Sequence, residues 1–144
     1  MDKNPQNISI SGLSMYCCCT GMRYKKDDLF LAKLDKNTTI AGVFTKSSMV
    51  GEPVSWCKSI LHNGYAEALI VNSGYANVFC GGQGKQTIEN TLDAVGHKFG
   101  IERGKIYIAS TGIIGEPVND ELLVTSVNDK LKSCDFEEAA NEIG

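Results

Sequence analysis

Histidine is scarce: the 144 residues hold only His62 and His97. Neither has a second histidine at ligand spacing, so no histidine-built metal centre is expected and both read as surface side chains. No hydrophobic run approaches the length of a membrane span. The start, Met1 to Asn7, is polar and lacks the apolar stretch of a signal peptide. No basic block occurs either. Fourteen Lys and Arg against seventeen Asp and Glu leave a formal charge of -3, which argues against a nucleic-acid partner. Lys25-Lys26 beside Asp27-Asp28 reads as a solvated turn. No repeat, low-complexity tract or linker interrupts the chain. The expectation is one domain over residues 1–144, in the cytoplasm, with no metal, bound cofactor, membrane or nucleic acid.

There is also no Cys-x-x-Cys, although six cysteines are present. Cys17, Cys18 and Cys19 are consecutive, and neighbours in a strand point to alternating faces, so they do not converge on one metal. Disulfides are not expected in a reducing cytosol. Cys57, Cys80 and Cys134 stand alone, and the set reads as small buried side chains. Cys80 is the one thiol beside a glycine-rich turn, but a reactive thiolate needs a lowered pKa and a nearby base, and the sequence names none. The phosphate-loop pattern is missing too. Gly81-Gly-Gln-Gly-Lys-Gln-Thr87 fails it, because Phe79 holds the first glycine position and Gln86 replaces the hydroxyl residue.

What is present is a spread of apolar segments. Ile8 to Cys19, Asp28 to Leu34, Thr39 to Thr45, Ala66 to Val71 and Ile106 to Ala109 read as extended, and the fourth as buried on both faces. Ile88, Leu92, Val95 and Phe99 recur at helical spacing, with Gly100 at the stop. Leu123, Val127 and Leu131 do the same after Asn119, a capping residue, with Asp120 and Glu121 at the positive end and Lys130 and Lys132 at the other. A short third helix is expected from Asp135. Strands come first and helices mix in later, which predicts an α+β fold: a mixed sheet with helices on one face, not a doubly wound nucleotide fold.

Two glycine-containing strand ends carry candidate chemistry. In Lys105-Ile-Tyr-Ile-Ala-Ser-Thr-Gly-Ile-Ile-Gly-Glu-Pro117 a buried strand runs into Ser110-Thr111-Gly112. Glycine lets the backbone turn sharply and lets another group come close. Such a turn can simply end the strand, or it can aim a backbone N–H and a hydroxyl at one point, as an oxyanion requires. Asn72-Ser-Gly-Tyr-Ala-Asn77 can present polar groups to a cleft, or brace a turn through side chain to backbone hydrogen bonds.

Ala41-Gly-Val-Phe-Thr45 followed by Glu52-Pro-Val54, Asn72 to Asn77, and Ser110-Thr-Gly-Ile-Ile-Gly115 occur in that order. Together they resemble Ala-Gly-Val-Phe-Thr with Ala-Pro-Val, Asn-Ser-Gly-Asn-Ala-Asn, and Ser-Thr-Gly-Val-Ile-Gly of the ornithine acetyltransferase family, also called the bifunctional glutamate N-acetyltransferases of arginine biosynthesis. Ser11 to Leu13, Gly21-Met22 and Asp27 to Leu29 fit its N-terminal pattern. The resemblance implies a precursor that cuts itself into α and β chains, an αββα sandwich built from both, and a higher heteromer. It implies ping-pong transfer of acetyl from N2-acetyl-L-ornithine, in some members from acetyl-CoA, to L-glutamate through an acetyl-threonine on the β chain. Thr111 and Gly112 would form the oxyanion hole, through the Thr111 hydroxyl and the Gly112 N–H.

The sequence departs from the family at Tyr75, where asparagine is usual, and in the cysteine run. No Pro-Asn-Met-Ala-Thr-Met-Leu segment, which carries the nucleophile, lies within the 144 residues. The expectation is an incomplete α-chain portion, inactive alone, that works with a β-type chain. The alternative is a non-catalytic remnant that binds a partner or an amino acid.

Overall fold

The computed structural model describes residues 9–143; the polar stretch read at Met1 to Asn7 lies outside them. In chain order the elements are β1 (Leu13–Cys18), β2 (Leu29–Leu34), α1 (Glu52–Ile60), β3 (Ala68–Tyr75), α2 (Gly81–Phe99), β4 (Ile106–Ile113), α3 (Asp120–Asp129), β5 (Lys132–Ser133) and α4 (Phe136–Ile143). The strands form one sheet in the order β4-β3-β2-β1-β5. β3 and β4 are parallel, and the other pairs are antiparallel. This is the expected mixed α+β sheet. α1, α2 and α3 pack as one layer, with α1 and α2 resting on β4, while α4 packs against β1, β2 and β3.

The core lies between that layer and the sheet. Leu31, Ile70 and Ile106 from the strands meet Leu92 and Val95 of α2 and Leu123 and Val127 of α3, all nearly without solvent contact. The α2 stripe is the one the spacing predicts; α3 keeps Leu123 and Val127 but ends at Asp129 with Lys130 as its C-cap, so Leu131 falls beyond it and Lys132 belongs to β5. Gly100 closes α2 at φ 67°, a left-handed value that glycine adopts without strain. The Asn119 side chain accepts the Leu122 N–H and caps α3.

Several expectations change. β3 alternates buried and half-buried residues instead of burying both faces, so its Leu69 and Val71 side stays half open. Residues 39–45 are not a strand. Only Thr39 makes a bridge, to Tyr65, and Val43 is 97% exposed. β-Branched residues favour a strand only where neighbouring strands offer a surface, and none does here. α2 starts at Gly81, seven residues earlier than its apolar stripe. Gly84 lies inside it because a Cβ there would stand 2.6 Å from the Asn77 Oδ1. Asp28 is buried, accepting the Thr20 N–H at 2.7 Å and its hydroxyl at 2.8 Å, so the charged turn is solvated only in part.

The cysteine reading also needs correction. Cys17 and Cys134 form a disulfide across a separation of 117 residues. β5 brings them together: it pairs Ser133 with Tyr16 and Lys132 with Cys17. Cys18 points the other way, into the main core, as strand alternation requires.

Candidate functional site

The ends of β3 and β4 lie side by side, with Asn72 opposite Ser110, Ser73 opposite Thr111 and Gly74 opposite Gly112. The two glycines touch. Gly74 has φ 108° and Gly112 φ 130°, and a Cβ on Gly112 would stand 2.3 Å from the Gly74 carbonyl carbon. No larger residue fits that approach. The stem of Arg23 and the ring of Tyr24 cover Gly74 from its other side, 3.4 and 3.5 Å from where its own Cβ would be.

Polar side chains brace this junction. The Ser110 hydroxyl donates to the Asn72 Oδ1 at 2.6 Å, and the Asn72 Nδ2 donates to the Tyr75 carbonyl at 3.0 Å. The buried Asn77 Nδ2 donates to the Gly84 carbonyl at 3.1 Å, tying the loop to α2. Both asparagines therefore hold the turn, the plainer of their two readings. Tyr75 supplies the carbonyl that Asn72 grips, and its half-buried ring packs against the core.

β4 is an edge strand, and its outer side can be read from its partners. The Trp56 Nε1 donates to the Ile106 carbonyl at 2.9 Å, and the Cys57 thiol donates to the Ile108 carbonyl at 3.2 Å. The backbone groups of Ile106 and Ile108 thus face outward, toward α1. The period of two carries Ser110 and Gly112 to the same side. The Gly112 N–H points out from the edge just past α1, and Thr111 and Gly112 are both exposed. An apolar pocket opens on this side between α1, β4 and the loop after β3.

The sequence reading missed α1, which holds this edge. Its signal was there: Pro53 in the first turn, and Pro53, Cys57 and Ile60 buried at helical spacing.

The other candidates do not join the site. His62 is exposed just after α1, its Nδ1 2.9 Å from the Ser59 carbonyl, and His97 is exposed on α2. The Cys80 thiol donates to the carbonyls of Val78 at 3.4 Å and Glu116 at 3.3 Å. Burial and then the Glu52 carboxylate push it above the ordinary 9.0. The protonated thiol is the favoured form, the reverse of an activated nucleophile. Alkylation of Cys80 should therefore be slow at pH 7 and still be gaining rate as pH rises past 9.0. Peptide mass mapping after timed iodoacetamide treatment checks this, and rapid labelling at pH 7 would contradict it.

The sequence profile of the ArgJ family matches residues 14–144. The chain belongs to the ArgJ family. The resemblance carried by the three motifs is thereby borne out. Among curated relatives, the arginine biosynthesis bifunctional protein ArgJ of Bartonella henselae is 38% identical over 135 residues, which are 90% of this chain and 33% of that protein. Its counterpart from Bradyrhizobium diazoefficiens is 43% identical over 116 residues, 80% of this chain and 28% of that protein. The chain thus spans a third or less of the length of these relatives.

Two solved ArgJ-family structures share the fold. The arginine biosynthesis bifunctional protein argJ of Bacillus halodurans superposes with a TM-score of 0.82 at 25% identity, covering 92% of this chain and 70% of that one. The ornithine acetyltransferase of Mycobacterium tuberculosis, complexed with ornithine, gives 0.83 at 28% identity, covering 92% and 75%.

Proposed function

We propose that this ArgJ-family chain is the α-type portion of an acetyltransferase that moves acetyl from N2-acetyl-L-ornithine to L-glutamate, and that it supplies the oxyanion hole. The observation that carries this reading is the exposed Thr111–Gly112 pair on a strand end built around the Gly74–Gly112 contact, where strand alternation turns the Gly112 N–H outward. Donors held by a rigid sheet need no reorganisation when charge develops between them.

The nucleophile is a threonine on a β-type chain. Its oxygen attacks the acetyl carbonyl and forms a C–O bond. The carbonyl oxygen becomes the oxyanion, between the Thr111 Oγ and the Gly112 N. The C–N bond then breaks, the threonine proton passes to the departing ornithine amine, and an acetyl-threonine ester remains. The glutamate amine attacks that ester through a second tetrahedral intermediate. The C–O bond breaks, and a proton from the amine returns to the threonine oxygen. The chain alone holds no such threonine and turns nothing over. It carries no cofactor; acetyl-CoA is a second donor to test.

Two features support a two-chain assembly. The half-open side of β3 at Leu69 and Val71 suits a second sheet, which gives the αββα sandwich. The chain also fills 70–75% of the two solved chains but 28–33% of the curated relatives, as polypeptides divided in two would give. The assembly is a higher heteromer working in the cytoplasm.

The test is co-expression with a matching β-type polypeptide, assayed for acetyl transfer from N2-acetyl-L-ornithine to L-glutamate. Transfer by the pair and none by either chain alone is the expected result. A well-folded pair without transfer overturns the reading.

A further inference from the structure

The pocket on the outer side of β4 holds about 270 Å³. Val54 and Cys57 of α1, Ala76 and Val78 of the loop after β3, and Ile108 and Ser110 of β4 are among its walls. No charged side chain lines it. Its polar side chains are already committed. The Ser110 hydroxyl donates to Asn72, and the Cys57 thiol donates to the Ile108 carbonyl. Ser110 lies two residues before Gly112 on the same side of β4, so the cavity ends beside the proposed amide donor.

We propose that this pocket receives the alkyl part of the acyl group and sets which acyl chains are transferred. The inference rests on the acetyltransferase reading above and deepens it. Four groups meet at the tetrahedral carbon: the oxyanion, the threonine oxygen, the amine of the amino acid and the acyl alkyl group. The oxyanion is held by Thr111 and Gly112. An amino acid brings a carboxylate and an amine, and placing either against unpaired apolar walls costs several kcal/mol. Only the alkyl group matches the lining.

Size adds a second point. A water molecule claims about 30 Å³ in the liquid, and a methyl group is of similar bulk. Acetyl therefore leaves most of the cavity unfilled. Propionyl and butyryl fit, and each added methylene gains apolar contact. The structure thus assigns to this site a range of short acyl groups.

The test uses the assembled two-chain enzyme with N2-acetyl-, N2-propionyl- and N2-butyryl-L-ornithine as donors and L-glutamate as acceptor. The wild-type pair should transfer all three. Ala76→Leu and, independently, Val54→Phe narrow the pocket, and each should lower the butyryl to acetyl ratio of kcat/KM about tenfold or more, the usual scale for one methylene in a hydrophobic pocket. Either variant decides the matter if the other fails to assemble by size-exclusion chromatography. A wild-type pair that moves acetyl but not propionyl overturns the pocket assignment, and so does a ratio that narrowing leaves unchanged. Both results would leave the acetyltransferase reading in place. A pair that moves no acyl group at all overturns both.

Discussion

Thr111→Ala in the assembled enzyme should reduce kcat for acetyl transfer by on the order of a hundredfold or more, the usual cost of losing one oxyanion donor. KM should change little, because the lost hydrogen bond strengthens only as charge develops. Thr111 is exposed, and among the described residues its hydroxyl has no hydrogen-bond partner. The substitution should therefore shift stability by no more than about 0.5 kcal/mol, as for other surface changes. Thr111→Ser keeps the hydroxyl and should recover much of the rate. Steady-state kinetics with thermal unfolding on the same samples separates the two effects. An unchanged kcat in Thr111→Ala would remove this residue from the chemistry.

Gly112→Ala should fail for a different reason, and at both stability and rate. Its φ of 130° is one that side chains rarely adopt, and its new Cβ would sit 2.3 Å from the Gly74 carbonyl carbon and 2.4 Å from the Gly74 oxygen. Backbone strain of this kind costs about 1–3 kcal/mol, and overpacking typically a similar amount. The strand ends can relieve the contact only by moving apart, and that re-aims the Gly112 N–H. A clear drop in unfolding temperature with near-complete loss of transfer is expected. Gly115→Ala is the control: φ is 84°, but nothing lies within 4 Å of its Cβ position, so only the conformational cost applies. Equal behaviour of the two variants, by thermal unfolding and transfer rate, would contradict the close contact described for Gly74 and Gly112.

Local signals made much of the fold legible. The stripe from Ile88 to Phe99 and the Asn119 cap each encode their structure within a few neighbouring residues, and the observed helices follow them. The glycine-containing end of β4 was visible for the same reason. Long-range features were not. Cys17 meets Cys134 only because a two-residue strand pairs with β1 more than a hundred residues away, and no local pattern encodes that pairing. Residues 39–45 carry strand-like side chains but find no neighbouring strand. At the site, Thr111 and Gly112 could be named from the motif, but the direction of the Gly112 N–H could not. That direction follows from Trp56 and Cys57 gripping the backbone of β4, through a helix whose apolar positions are few.

The outer side of β4 is a row of amides and carbonyls that a foreign strand could zip onto, the usual start of aggregation. α1 caps the first half of that row, at Ile106 and Ile108. Beyond it, Gly112 stays paired with β3 but has φ 130°, outside the ordinary strand range, so an intruding chain would meet an irregular outer rim there. The glycine that brings β3 and β4 into contact thereby helps keep the protein from polymerising along its rim.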